Sequence, residues 1–159
     1  MVKEVIDPWS SELPDDYKKK IKQFGLEKFD INDFPEPNLL MRRGIVFAGR
    51  DLKRISKSIK EKKKFYVLTG IMPTADKLHF GTKSVIDQVV YFQKQGAETH
   101  VLVADLESAA TRGISLEEAR RRALEIHIPC YIALGLDPKK TKFYFQSENN
   151  DVTSLAYVL

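Results

Sequence analysis

His79 and Gly81 are the residues whose types and spacing best suit them to chemistry. They close the stretch TGIMPTADKLHFGTK, residues 69–83, which follows an apolar run, KFYVL, and precedes an amphipathic one, SVIDQVVYFQ. A helix that begins here presents unpaired N–H groups and a partial positive charge, and both attract phosphate. Gly70 and Gly81 let the backbone approach a ligand closely, and Pro73 stiffens the loop between them. The imidazole of His79 is a donor for a phosphate oxygen. Donation that strengthens as the phosphorus becomes five-coordinate lowers the barrier to attack there. Two familiar phosphate loops are absent: neither G-x-G-x-x-G nor G-x-x-x-x-G-K-[ST] occurs after the strand. H-x-G alone is ordinary loop sequence. The strand before it, the helix after it and the Gly-x-x-Pro-Thr lead-in favour the functional reading.

The elements that must hold this stretch follow from periodicity. Residues 64–68 form a short predicted strand, and 81–95 a helix stopped by Gly96. HVLVADL is a continuous apolar run, the pattern of a strand buried on both faces. Ser115 opens a capping box with Glu118, and the helix it starts runs to about Leu134, with Pro129 predicted to kink it and Gly135 to end it. TKFYFQ is a third strand. The order β-α-β-α-β predicts an α/β fold with a parallel sheet, half of a doubly wound architecture, with ligands beyond the carboxyl ends of its strands. Before residue 64 the pattern is mixed. A short helix near residues 15–24 stops at Gly25, a Pro-containing connector follows, and MRRGIVFAGR holds a short apolar run. Asp51 is the predicted N-cap of LKRISKSIKEKKK.

The bulk numbers set bounds. The chain has 159 residues, 43% hydrophobic and 30% charged, with net charge +4. That suffices for one domain and permits, without requiring, a polyanionic partner. Its single cysteine, Cys130, excludes an intrachain disulfide. No signal peptide and no membrane-length apolar run is seen, so a cytoplasmic protein is expected. The closing DVTSLAYVL reads as the start of a helix, so a longer parent chain is expected.

From the first strand onward, TGIMPTADKLHFGTKSVIDQVVYFQKQGA resembles the signature region of class I aminoacyl-tRNA synthetases, nearest the tryptophanyl/tyrosyl pair in archaeal form. The resemblance continues through VLVADLES, SLEEARRRALEIHIPCYIALGLDP and KFYFQSE. It extends back to IDPWSS and RRGIVFAGRDL, and these N-terminal segments favour the tryptophanyl type. It implies the first half of a Rossmann-like (HUP-type) doubly wound parallel sheet, residues 64–159, behind a mixed N-terminal extension, residues 1–63. It implies ATP, with Mg2+ bound through it and no metal site on the protein, together with L-tryptophan and tRNA(Trp) as substrates and a homodimeric parent. His79 matches the first His of the HIGH motif and Gly81 its Gly. Thr69, Gly70, Met72, Pro73 and Thr74 match the lead-in that cradles ATP. Leu68, Glu107 and Gln146 match positions on the amino-acid pocket.

Thr82 departs from that pattern, because the fourth HIGH position is a hydroxyl rather than an imidazole. Loss of a charge-assisted bond there would cost about 1.5–3 kcal/mol. Leu68 stands where relatives often carry a Tyr that reads the side chain, and Leu102 is likewise apolar, so the acceptor that a buried indole N–H needs is not evident. The second family signature, KMSKS, is missing; Lys62, Lys63 and Lys64 precede the first strand, at its wrong end. A portion of a longer enzyme, inactive by itself, is therefore expected. A tyrosyl enzyme, a nucleotidyltransferase of the same superfamily and a non-catalytic paralogue that binds nucleotide or RNA are the alternatives. Arg120, Arg121 and Arg122 read as a solvated helix face, as do the lysine runs. His100, His127 and Cys130 read as structural, Trp9 as a packing anchor, and Tyr66, Tyr91 and Phe92 as core.

Overall fold

The computed structural model describes residues 17–151 and Ser154. The reading of Trp9, and most of that of DVTSLAYVL, lie outside those residues.

A parallel three-stranded sheet organises the chain, in the order β3 (Tyr66–Ile71), β4 (Glu98–Val103), β5 (Thr141–Phe145). The predicted strands are all present, but β3 begins and ends later than expected. Thr69 and Gly70 belong to the strand, and the loop starts only at Met72. Helix α4 (Phe80–Lys94) connects β3 to β4. Ile86, Val89 and Val90 from α4 meet Ile71, Val101, Val103 and Phe145 from the sheet, with Ala123, Tyr131 and Leu136 completing the core. This face of the sheet is covered.

The opposite face is not. Tyr66 and Leu68 are 60% and 63% exposed, and β4 alternates between half-buried and buried positions. The apolar run at 100–106 is thus not a strand covered on both sides. Its last residues leave the strand and start helix α5 (Asp105–Arg112), which periodicity over so short a run did not distinguish. Tyr66 is accordingly a surface residue rather than core.

The long helix predicted after Ser115 is built in three parts. The α-helix α6 (Leu116–Arg122) gives way to a π-helical stretch, Ala123–His127, and then to α7 (Ile128–Ala133). Ser115 accepts from the Glu118 N–H as the capping box requires. The expected kink at Pro129 takes the form of the π stretch: the Ile128 N–H donates to the Ala123 carbonyl, five residues back. Cys130 on α7 is half-buried, not enclosed. Gly135, with φ of 106°, ends the helix in a conformation that suits glycine.

The segment before β3 packs onto the other side of α4. It holds α1 (Tyr17–Gln23), α2 (Leu39–Arg42), α3 (Leu52–Lys60) and a two-residue antiparallel pair, β1 (Glu27–Lys28) with β2 (Ala48–Gly49). Phe34, Met41, Ile59 and Tyr91 form its core, and the Tyr91 hydroxyl donates to the Pro35 carbonyl at 2.7 Å. Burial pushes that phenol up to about 12. Asp51 does occupy the N-cap of α3, but at φ of 52° and without a side-chain cap bond.

Candidate active site

His79 is the N-cap of α4, in extended backbone conformation. Its Nδ1 accepts from the Thr82 N–H at 3.3 Å, so one of the helix's orphan donors is satisfied by the imidazole. With Nδ1 accepting, Nε2 is the protonated nitrogen, and it lies 3.4 Å from Thr82 Oγ1. The ring therefore lies back over the first turn of its own helix. A Cβ on Gly81 would lie 3.0 Å from the ring's Cε1 and Nδ1, closer than most such contacts, so the imidazole would have to shift by a few tenths of an ångström. Glycine two residues after the histidine leaves the ring where it is. Thr82 is drawn into the same cap.

The loop between β3 and this cap is fixed at several points. Ile71, 1% exposed, ends the strand, and its carbonyl accepts from the Ala104 N–H at 2.7 Å. Pro73 is fully buried, and the Thr74 N–H donates to the Met72 carbonyl in a tight turn at 2.8 Å. The Thr74 and Ala75 carbonyls are held from another element. Arg122 Nη1 donates to the Thr74 carbonyl at 2.6 Å, and His127 Nε2 lies 2.9 Å from the Ala75 carbonyl.

The other predicted residues divide by face. Gly70, Leu102 and Tyr144 share one row across the open side of the sheet, and Leu68, His100 and Lys142 share the row beneath it. A Cβ on Gly70 would meet only the Leu102 carbonyl, at 3.9 Å, so packing within the chain does not require glycine there. Thr69 points to the covered face instead, leaving only its backbone beside Gly70. Glu107 is exposed in the first turn of α5, and Gln146 follows β5 with its Oε1 buried and unpartnered among the described residues. The rim at the carboxyl ends thus gathers His79, Gly81, Thr82, Glu107 and Gln146. Pro73 shapes the rim from within.

Sequence reasoning missed three contributors. Asp105, 2% exposed, accepts from the Ser147 N–H at 3.1 Å and from the Ser147 hydroxyl, so it ties the end of β4 to the end of β5. The signal was a carboxylate inside an otherwise apolar run. Arg120 stacks over the Phe145 ring at 4.3 Å and pairs with Glu148. Arg121 pairs with Glu118 and Glu125, and with Arg122 it holds the Glu118 carboxyl down at about 2. Arg121 is thus on a solvated helix face as expected, Arg120 is exposed but reaches across to the end of β5, and Arg122 is half-buried and braces the β3 loop instead. His100 also has an acid partner, Glu98, at 3.2 Å.

A cleft of about 670 Å3 lies between α3 and β3, lined by Arg50, Arg54, Tyr66 and Leu68 among others. A somewhat larger one, about 710 Å3, lies beside the β1–β2 pair and includes no residue of the rim. Among the described residues no helix is long and apolar enough to cross a membrane.

The family described as tRNA synthetases class I (W and Y) matches residues 60–159. The tryptophan–tRNA ligase of Thermoplasma acidophilum is 45% identical over 155 residues, which is 98% of this chain and 35% of that protein. That of Aeropyrum pernix is 44% identical over 154 residues, 92% of this chain and 41% of that one. The crystal structure of the Aeropyrum pernix tryptophanyl-tRNA synthetase superposes with TM-score 0.78 and 43% identity over 85% of this chain and 38% of its own. The tryptophan-bound enzyme of Encephalitozoon cuniculi does so with TM-score 0.76 and 28% identity over 91% of this chain and 46% of its own. This chain spans less than half the length of each.

Proposed function

Because the chain belongs to the class I tRNA synthetases of the W and Y type, we propose that it is the ATP-binding half of a tryptophan–tRNA ligase catalytic domain. The observation that carries this reading is the His79 cap: a proton-bearing Nε2 and a helix N-terminus at the end of a parallel strand, with Gly81 leaving room for the ring. In the reaction proposed, a carboxylate oxygen of L-tryptophan attacks the α-phosphorus of ATP. The bond from that phosphorus to the bridging oxygen breaks and pyrophosphate leaves with the electron pair; a hydroxyl of tRNA(Trp) then takes the aminoacyl group, and AMP leaves. His79 Nε2–H turns from Thr82 to a phosphate oxygen, and the N-terminus of the 15-residue α4 adds its field. Bare backbone at Gly70 lets substrate lie against the open sheet face beside Leu68. The Glu107 carboxylate, exposed on the rim, suits the substrate's ammonium. Gln146 Oε1 is an acceptor without a partner among the described residues.

Mg2+ would arrive with the ATP phosphates. Among the described residues no group of three His, Cys, Asp or Glu side chains converges on an ion site, and no step is assigned to the metal. Residues 1–63 act as an extension to this half-domain, and the working enzyme is a cytoplasmic homodimer.

Amino-acid-dependent ATP–pyrophosphate exchange by the full-length protein carrying this chain tests the proposal, with tryptophan and tyrosine assayed separately. Exchange with tryptophan alone is expected. A Thr82→His variant run beside it measures what the missing imidazole costs. No exchange with either amino acid, in a folded protein that still binds ATP, would leave the non-catalytic reading standing.

A further inference from the structure

The arrangement of α6 and the π stretch has a function that follows from helix geometry. Arg122 and His127 are five residues apart. In an unbroken α-helix five residues turn through about 500°, which leaves two side chains about 140° apart on different faces. Here they reach adjacent carbonyls of one loop, those of Thr74 and Ala75. The π stretch, Ala123–His127, makes this possible. Its i→i+5 bonding lengthens the turn and brings residues five apart back to nearly the same face. Pro129 favours that geometry because it has no N–H to give to a carbonyl four residues earlier.

We propose that Arg122 and His127 are positioning residues that clamp the 72–78 loop and thereby set His79 and the α4 N-terminus against the phosphates of ATP. The inference rests on the nucleotide reading above. A carbonyl oxygen free to swing towards a phosphate would repel it, and two consecutive ones here are held by donors from another element. Arg122 also sits 3.2 Å from Asp76 and 2.6 Å from Glu118, so the guanidinium holds the loop's own carboxylate, Asp76, as well as its carbonyl. His127 is 6% exposed, and its Nδ1 has no partner among the described residues. A buried imidazole with one nitrogen unsatisfied is a poor choice for packing alone, since leaving a buried polar atom unpaired is unfavourable. The Ala75 bond is what the side chain provides. Arg120, stacked on Phe145 beside the end of β5, extends the same bracing to a second part of the rim.

The test is calorimetric titration of ATP into the full-length protein carrying this chain, with Tm read alongside. His127→Leu and Arg122→Met should each weaken ATP binding about tenfold in protein that remains folded, and the pair by more. His127→Gln, whose amide can donate to the same carbonyl, should recover most of the affinity even where Tm stays lowered. A side chain that merely packs would lower Tm and leave the affinity of the folded fraction alone. Should His127→Leu fail to fold, Arg122→Met and His127→Gln carry the same comparison. On the wild type, ATP should also shift the His127 ring N–H resonance, although the ring touches no nucleotide. Tight ATP binding by the wild type, matched by His127→Leu and with that resonance unmoved, overturns the clamp and spares the nucleotide reading. A folded wild type that binds no ATP overturns both.

Discussion

On one face of the β3–β4–β5 sheet, Ile71, Val101, Val103 and Phe145 lie against Ile86, Tyr131 and Leu136 with 7% exposure or less. On the other, Tyr66, Leu68 and Gly70 stand open, flanked by the ionic group of Glu98, Lys64 and Lys142. The same three strands supply both. The covered face holds the fold, because burial of apolar area is the main stabilising term. The open face and its carboxyl rim contribute little to that term and are free to carry residues chosen for a ligand. Substitutions on the two faces should therefore be separable: one set lowers stability and the other lowers binding.

The largest effect is expected on the covered face. Ile86→Ala, at a position 1% exposed, should reduce unfolding free energy by about 2–5 kcal/mol in a denaturant melt. A loss under about 1 kcal/mol would mean that this core is not what holds the sheet. On the rim, Gly81→Ala should displace the His79 ring and weaken ATP binding about tenfold, while the midpoint of unfolding moves little, since alanine is itself a good helix residue. Calorimetry and a thermal melt on one sample separate the two effects. Gly70→Ala is gentler still on the fold, as its Cβ meets only one carbonyl at 3.9 Å. Stability should hold within about 0.5 kcal/mol, with the loss appearing in ATP or tryptophan affinity; unchanged affinity for both would remove Gly70 from the site. The smallest effect concerns pH. Lys142 and Lys64 hold the half-buried Glu98 carboxyl near 2, below its ordinary 4.5. Because the folded value is the lower one, the contribution is present above about pH 4.5 and is lost as pH falls through about 2. Glu98→Gln should flatten stability against pH in that window, and the difference should shrink in high salt.

Much of this was legible before any coordinates. A hand-over from strand to helix between residues 68 and 81, the capping box at Ser115 and the parallel order came from periodicity and local signals. His79 and Gly81 were singled out by type and spacing, but only the structure showed that the imidazole caps α4. The extent of β3 was misjudged because Thr69 and Gly70 carry turn-like identities but pair with Val101 and Leu102. The short helix α5 was hidden for a similar reason: eight residues after an apolar strand carry too little period to stand apart.

What the sequence determined by itself is local: which segments are helix or strand, where phosphate-attracting backbone begins, and the type of family this chain belongs to. What tertiary structure decided is which side chains meet across distance. Arg122 reaches a carbonyl 48 residues away, His127 one 52 residues away, and Asp105 a serine 42 residues away. No periodicity encodes such pairings. They depend on how the α6–α7 unit lies beside the β3 loop, and on a π stretch that turns two side chains to one face. Exposure of one sheet face was decided in the same way, because a strand's pattern records alternation but not whether anything lies above it.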